Sequence, residues 1–261
     1  MRPSFLRLQQ PYLAAIIAEG TPDETIASIL TCEHDGSEAF MVDLAAWDRG
    51  RLTREELTRV FRCSARPMMP LCYRSRHLAA DRIDDEARAA LMLLAVDAGA
   101  AAIDIMGDLY DPAPRERTRD RQAIEKQKRL ADGVHAKGAE VLMSSHAQNE
   151  SLSAEDILEH LSDFVSRGAD IPKIVVRAET EDELLEAFRT TVLLKRKLSV
   201  PFVHLCSGRY GRLQRYVAPS LGAALTFGVR SAVHGPQPLV RDAAAVLHEL
   251  NWHRVYPPAA D

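Results

Sequence analysis

The sequence predicts an α/β fold, a single (β/α)8 TIM barrel over residues 1–261 in which eight parallel strands are surrounded by helices. The chain has 261 residues, and one barrel of this type takes about 250. Short apolar runs alternate with amphipathic segments at roughly 30 residues per unit, which is typical of repeated strand–helix–strand units. Eight units are present, the number that closes a barrel. An open, doubly wound parallel sheet is the structural alternative.

The elements follow one another in a regular order. The predicted strands are the apolar runs 13–18, 39–44, 67–73, 100–105, 140–144, 173–176, 202–205 and 223–227. The predicted helices lie near residues 22–31, 53–62, 84–98, 116–137, 153–167, 180–197, 210–220 and 238–250. Thr21 followed by Pro22 and two acids is typical of a helix start. Gly99, Gly138 and Gly168 each follow a predicted helix, where glycine commonly ends the helix.

The composition indicates a globular protein that does not bind nucleic acid. Hydrophobic residues make up 46% of the chain and charged residues 27%, and the net charge is −4. Nucleic-acid-binding domains usually carry a basic surface, and none is expected here. We interpret the basic cluster at residues 115–119 as the solvated face of a helix, because acidic residues are interleaved with the basic ones.

Cysteine usage and hydropathy predict a cytoplasmic protein with no membrane contact. The four cysteines show no paired spacing, so we interpret them as free thiols of a reducing compartment. The first apolar stretch, residues 12–18, is too short for a secretory signal, and no segment reaches transmembrane length. Histidine spacing indicates no metal site. A homodimer is common for such barrels, although no apolar surface stripe marks an interface.

Two candidate catalytic residues stand in neighbouring predicted strands. Active sites of these barrels lie at the C-terminal ends of the strands, and His146 follows the fifth run there, where a general acid–base would stand. Lys173 opens the sixth run. Burial lowers the pKa of a lysine and frees its lone pair to attack a carbonyl. From position alone, a solvated lysine at the bottom rim and a structural histidine remain competing interpretations.

Three further candidates could bind substrate. Arg215 follows a turn with Gly208 and Gly211 that opens a predicted helix, and such turns bind anions through backbone N–H groups. Its guanidinium could hold a carboxylate through two hydrogen bonds, whereas a tight turn with a solvated arginine is the alternative. Arg74 comes at the end of the third run, and Asp43 lies near the end of the second. Each could point into the barrel mouth or form a salt bridge at the rim.

Several short segments follow one another along this chain in the order in which a known enzyme family has them. They are Ser144-Ser145-His146, the run Gly168-Ala169-Asp170-Ile171-Pro172-Lys173-Ile174, the turn Gly208-x-x-Gly211-x-x-x-Arg215, the run 222–228, and Ser231 with Gly235 and Gln237. With this set the chain resembles the type I 3-dehydroquinate dehydratases over residues 13–250. The resemblance implies the same barrel and an enzyme that removes water from 3-dehydroquinate through an imine, with no cofactor.

The resemblance also implies a role for each matching residue. Lys173 matches the lysine that forms the imine with the substrate ketone. His146 matches the histidine that removes the alpha proton and protonates the departing hydroxyl. Arg215 matches the arginine that holds the substrate carboxylate. The remaining matches are substrate contacts: Arg74 near the hydroxyl groups, and Ser231 and Gln237 in the loop that closes over the substrate. Asp43 stands where the family has a glutamate, and the resemblance implies that it keeps the acidic role with a shorter reach.

Departures from the family pattern are concentrated around the substrate hydroxyls. Asp43-Leu44-Ala45 stands where the family has Glu-x-Arg, and residues 76–80 stand where it has a Glu-Gly-Gly turn supporting the histidine. The strand-four Asp-x-Glu reads Asp104-Ile105-Met106, and Gln214 replaces a serine before Arg215. The alternatives are therefore a class I aldolase-like lyase on a related ketone, or a degenerate homologue that binds a ligand without turnover.

Overall fold

The computed structural model describes residues 2–74, 83–231 and 235–251, and these ranges form eight strands that alternate with eight α-helices. The strands are β1 Tyr12–Ile17, β2 Ala39–Asp43, β3 Met68–Leu71, β4 Ala102–Met106, β5 Glu140–His146, β6 Ile171–Arg177, β7 Val203–Ser207 and β8 Leu225–Val229. The helices are α1 Pro22–His34, α2 Arg54–Phe61, α3 Asp85–Ala98, α4 Arg121–Ala136, α5 Ala154–Ser166, α6 Glu181–Lys197, α7 Gly211–Leu221 and α8 Val240–Leu250.

The strands close into the predicted (β/α)8 barrel. They pair in parallel in two groups of four, with the orders β3-β2-β1-β8 and β4-β5-β6-β7. A backbone hydrogen bond joins the groups at each seam. Ala101 N donates to Met68 O between β3 and β4, and Ala224 N donates to Phe202 O between β7 and β8, at 2.8 and 2.9 Å. The open doubly wound alternative is therefore wrong.

The predicted helix boundaries rest on local capping groups. The Thr21 hydroxyl accepts from Glu24 N at the start of α1, and Pro22 occupies the first helical position. Gly99 ends α3 with φ 119°, a left-handed conformation in which a side chain would be strained. Because helices cover the outer face of the barrel, its strands are buried on both faces and read as continuous apolar runs.

Several elements begin one or more residues away from the predicted position, and two of these differences affect the site. β6 begins at Ile171, two residues before the apolar run at Lys173, so the lysine lies within the strand and not at its rim. α4 begins at Arg121, whereas the sequence predicted a helix from residue 116. Residues Pro114–Glu116 instead form a single 3-10 turn, in which Arg115 has φ 57° and Glu116 has φ 46°.

The outer surface of the described part of the chain carries scattered apolar side chains. The large exposed ones are Leu6, Leu30, Leu185, Leu213 and Leu250. Isolated apolar side chains are normal on protein surfaces. Within residues 2–74, 83–231 and 235–251, every helix is too short or too polar to cross a membrane.

Candidate active site

A cavity of about 440 Å³ opens at the C-terminal end of the barrel. Its apolar lining is Ile16, Met41, Leu71, Val175, Leu205 and Phe227. Its polar lining is Tyr73, His146, Gln148, Lys173, Arg215 and Gln237. Most of these residues lie on strands or directly after them, which is where this fold places its active sites. The cavity therefore contains both predicted catalytic residues.

Lys173 reaches into this cavity from the middle of β6. It is 5% exposed, and its backbone pairs with Ser144 of β5. The Nζ atom donates to Tyr73 Oη at 2.8 Å and lies 3.2 Å from His146 Nε2. The carboxylate oxygen Asp104 Oδ2 pairs with it at 3.8 Å. The solvated-rim interpretation of Lys173 is wrong, because its amine is enclosed by side chains that can exchange protons with it.

His146 ends β5 and connects the lysine to a carboxylate. Its Nδ1 lies 2.7 Å from Glu116 Oε2, while its Nε2 faces Lys173 Nζ. A carboxylate at Nδ1 favours a proton on that nitrogen, which leaves Nε2 free to accept one, and it stabilises the imidazolium that results. The ring also packs edge-on against Tyr73, with centroids 4.8 Å apart. Glu116, His146 and Lys173 thus form a continuous line of proton-exchanging groups.

The sequence did not predict Glu116 as a site residue. We interpreted residues 115–119 as a solvated helix face, but the left-handed backbone at Arg115 and Glu116 turns this segment inward before α4 begins. Such conformations are unfavourable for residues other than glycine and are often retained at functional sites. Ser145 Oγ holds the turn by donating to Arg115 O at 2.5 Å. The sequence carried one signal for this residue: Glu116 is an acidic residue that follows the fourth strand.

A buried arginine and a glycine support this turn from behind. Arg167 donates from Nη1 to Gly107 O at 3.0 Å and from Nη2 to Thr118 O at 2.8 Å, so it ties both ends of the loop after β4. A Cβ on Gly107 would lie 2.2 Å from Phe164 Cζ and 2.6 Å from Glu116 O. Only glycine allows this close approach, which places the Glu116 backbone against the end of β4.

Arg215 lines the cavity from the first turns of α7. It is 4% exposed, and its Nε donates to Cys206 O at 3.0 Å. No carboxylate within the described residues forms an ion pair with it, and burial lowers the pKa of its guanidinium to about 10. A buried charge without a partner is unfavourable. Arg215 is thus placed to receive an anionic group in the cavity.

The glycine turn before Arg215 does not offer the free backbone donors that we expected. Tyr210 N donates to Ala178 O at 2.9 Å, and Arg209 N donates to Glu179 Oε2 at 3.2 Å. Gly211 N donates within the turn to Gly208 O at 3.0 Å. These three backbone N–H groups are already used by the protein, so the Arg215 side chain is the better candidate for the anion site of this segment.

Arg74 and Asp43 are not among the residues that line the cavity. Arg74 pairs with Asp85 at 2.6 Å and with Asp108 at 2.8 Å. Tyr73, one residue earlier, faces the cavity because alternate residues of an extended chain point to opposite sides. Asp43 accepts from Ala45 N at 3.0 Å and caps the turn after β2. Their roles as substrate ligands stay predictions.

The predicted lid residues are separated in the structure. Gln237 lines the cavity, while Ser231 is exposed. A Cβ on Gly211 would lie 2.7 Å from Cys206 O and 3.0 Å from the Pro236 side chain, so glycine allows the loop to pack against the start of α7. Residues 232–234 lie outside the described residues. So does the segment 76–80, which departs from the family's Glu-Gly-Gly pattern.

Fold and site together define a (β/α)8-barrel protein with a buried lysine beside a histidine–carboxylate pair. The family model for type I 3-dehydroquinase matches residues 42–252, which is most of the chain. The chain belongs to this family, and the resemblance noted in the sequence is confirmed.

Individual relatives agree with this assignment. The chain is 32% identical over 108 residues to the 3-dehydroquinate dehydratase of Klebsiella pneumoniae, covering 41% of this chain and 43% of the relative. It is 29% identical over 138 residues to that of Alkaliphilus oremlandii, covering 52% and 53%. The matched segments therefore span about half or less of these relatives.

Solved structures show the same fold over nearly the whole chain. A type I 3-dehydroquinate dehydratase from Clostridium difficile has a TM-score of 0.76 at 19% identity, covering 94% of both chains. The 3-dehydroquinate dehydratase of Geobacillus kaustophilus has a TM-score of 0.79 at 14% identity, covering 95% of this chain and 93% of that one. At this identity the likeness concerns the barrel, which agrees with the closed strand order described above.

Proposed function

We propose that this protein is a carbon–oxygen lyase that converts 3-dehydroquinate to 3-dehydroshikimate through a Schiff base on Lys173. The observation that carries the proposal is the contact between Lys173 Nζ and His146 Nε2, 3.2 Å apart in a cavity that Arg215 also lines. Among residues 2–74, 83–231 and 235–251, no carboxylate pairs with this arginine. A nucleophilic amine, a proton acceptor and an anion-binding group are the three functions that dehydration of a hydroxy-keto acid requires.

Each group has one task in the proposed reaction. The neutral amine of Lys173 attacks the ketone, and loss of water gives an iminium. The iminium withdraws electrons, so the neighbouring C–H becomes acidic enough for His146 Nε2 to remove its proton. His146 then returns the proton to the beta hydroxyl, which leaves as water, and hydrolysis of the imine releases the conjugated product. None of these steps requires a metal or an organic cofactor.

Reductive trapping tests this proposal directly. The protein is incubated with 3-dehydroquinate and borohydride, and the intact mass and the modified peptide are determined. We expect a reduced adduct on Lys173, together with turnover seen as ultraviolet absorbance of the enone product. The reaction without borohydride and the reaction without substrate serve as controls. If wild-type protein neither forms the adduct nor turns over, 3-dehydroquinate is not the substrate.

Arg215→Met is expected to weaken substrate use without weakening the fold. A hydrogen bond to a charged group contributes about 1.5–3 kcal/mol, so kcat/KM should fall roughly 10- to 100-fold, mainly through KM. The free energy of unfolding should stay the same or rise, because the substitution removes a buried charge that pairs with no carboxylate in the described part of the chain. Steady-state kinetics and denaturant unfolding measure the two effects. Loss of stability with unchanged KM would assign Arg215 a structural role.

Glu116→Gln is expected to slow proton transfer while leaving imine formation intact. Glutamine has a similar shape but cannot stabilise the imidazolium, and in a comparable histidine–carboxylate pair loss of the charge costs about 10⁴-fold in kcat. We expect a fall of at least about 100-fold in turnover, with the trapped adduct retained. Glu150→Gln is the matched control, because Glu150 pairs with Arg115 of the same loop at 2.8 Å. Equal losses of turnover in both variants would indicate that Glu116 acts through the packing of the loop and not through its charge.

We also propose that this protein is a metal-independent enzyme of shikimate- or quinate-type metabolism and that it acts in the cytoplasm. The free state of Cys32, Cys63, Cys72 and Cys206 supports a reducing compartment. A homodimer also stays a prediction, and light scattering of the purified protein measures it.

A further inference from the structure

A second chain of proton-exchanging groups meets Lys173 and takes no part in the scheme above. Lys173 Nζ donates to Tyr73 Oη at 2.8 Å, and Tyr73 Oη donates to Asp104 Oδ2. The other oxygen of that carboxylate, Oδ1, accepts from Ser144 Oγ at 2.6 Å. The hydrogen bonds run in one direction, from the amine through the phenol to the carboxylate, which is the direction in which a proton would leave the lysine.

We propose that Tyr73, with Asp104, is an acid–base couple for making and breaking the imine, beside His146, which moves the substrate's carbon and hydroxyl protons. This inference rests on the proposed function, because it concerns the same lysine. Lys173 Nζ then contacts two separate couples: His146 with Glu116, and Tyr73 with Asp104. Tyr73 touches the reacting nitrogen and is catalytic in this sense. Asp104 acts through Tyr73 and is a positioning residue that also stores the proton.

The proton balance assigns each transfer to this relay. Protonated Lys173 gives one proton to Tyr73 Oη as the phenol proton moves to Asp104, so the amine becomes neutral. Attack on the ketone forms the C–N bond and places negative charge on the former carbonyl oxygen. Tyr73 passes a proton from the nitrogen to that oxygen, which makes a carbinolamine. The proton on Asp104 then returns through Tyr73 to the hydroxyl, the C–O bond breaks, and water and the iminium result.

The positions of these groups suit this task. Tyr73, Asp104 and Ser144 are all buried, so a proton held on Asp104 is shielded from solvent between the two halves of the reaction. Tyr73 also lines the cavity, where its hydroxyl can reach an oxygen attached to the carbon bonded to Nζ. The His146 ring packs against the Tyr73 ring at 4.8 Å. The two couples are therefore adjacent, yet each has its own carboxylate.

Tyr73→Phe separates imine chemistry from the later proton transfers. Phenylalanine keeps the ring that packs against His146 and removes only the hydroxyl. Rapid mixing with 3-dehydroquinate, followed by borohydride quench at set times, measures the rate of adduct formation on Lys173. General acid–base catalysis contributes about 100-fold or more, so we expect at least that loss in Tyr73→Phe. His146→Ala should instead form the adduct at close to the wild-type rate.

The pH profile distinguishes proton transfer from a purely structural or electrostatic role. If Tyr73 only stabilised one charge state of Lys173, Tyr73→Phe would shift the curve of adduct-formation rate against pH along the pH axis. The plateau of that rate at high pH would stay unchanged. Loss of a proton relay lowers the plateau itself. Asp104→Asn should lower the plateau as well, because the amide cannot take the proton. Tyr110→Phe is the matched control, since Tyr110 does not line the cavity.

A substrate-independent probe keeps this inference separate from the substrate assignment. The small diketone 2,4-pentanedione forms a conjugated, ultraviolet-absorbing adduct with a reactive lysine. Slow labelling of Lys173 in Tyr73→Phe supports the relay even if 3-dehydroquinate is not trapped by the wild type, which would overturn only the substrate. Wild-type rates and plateaus in Tyr73→Phe with both ketones would overturn the relay. Failure of both ketones to label wild-type Lys173 would overturn both proposals.

Discussion

Lys173→Met is expected to abolish the trapped adduct and to lower turnover by roughly 10⁴-fold or more, the scale seen when a covalent nucleophile is removed. Methionine has nearly the length of lysine and should fill the same space among Tyr73, His146 and Phe227. It also leaves the buried Asp104 carboxylate without the cation that lies 3.8 Å away. We therefore expect a fall in the free energy of unfolding of up to about 3–5 kcal/mol, the cost of breaking a buried ion pair. Intact-mass analysis after borohydride, product absorbance and denaturant unfolding measure the three quantities.

A surface lysine provides the control for this variant. Lys126 pairs with Glu86 at 2.7 Å and lies over the Tyr110 ring, away from the cavity. Lys126→Met should keep both the adduct on Lys173 and wild-type turnover. An adduct that persists in Lys173→Met would place the imine on a different amine and would contradict the proposed mechanism at its first step.

His146→Ala is expected to separate the two halves of the reaction. The lysine and its Tyr73 contact remain, so the adduct should still be trapped. Removal of the alpha proton loses its acceptor, and general acid–base catalysis typically contributes 10²–10⁴-fold, so turnover should fall by about that factor. The unreacted imine should then accumulate, and the fraction of protein trapped at steady state should rise above that of the wild type.

His135→Ala is the matched control for His146→Ala. His135 also pairs with a carboxylate, at 2.9 Å from Asp170, but it lies on α4 and outside the cavity. Loss of this pair should leave turnover at the wild-type level. Turnover in His146→Ala that matched the wild type would remove His146 from the mechanism, whatever the trapping result.

Some features of the site could be predicted from the sequence, whereas others depend on the assembled barrel. The contact between Lys173 and His146 follows from strand register, because β5 and β6 are parallel neighbours and Lys173 pairs with Ser144, two residues before His146. Both residues and their spacing are visible in the chain. Arg215 was predicted for the same reason, since it lies on the helix that follows β7. That no carboxylate of the described residues pairs with it, however, is a property of the assembled barrel.

Tyr73 and Arg74 show how much depends on the exact position of a strand end. The family resemblance pointed to Arg74, whose role stays a prediction, and the structure places Tyr73 in the cavity, with Arg74 bound to Asp85 and Asp108. Alternation from Leu71, which also lines the cavity, would have selected Tyr73. Placing β6 two residues earlier would likewise have excluded the rim position of Lys173. These differences come from element boundaries, which sequence patterns define least sharply.

The sequence by itself determined the barrel, the order of its elements, and the lysine and histidine at its mouth. Periodic burial and cap residues are local properties: eight strand–helix units follow one another along this chain, and six of the eight described helices begin at a side-chain cap. Only the tertiary structure decided which carboxylates interact with the histidine and the lysine. Glu116 reaches His146 through a left-handed turn held by Ser145 and Arg167, and Asp104 reaches Lys173 through Tyr73. Such contacts join residues far apart in the chain, so the packing of the closed barrel determines them and local pattern does not.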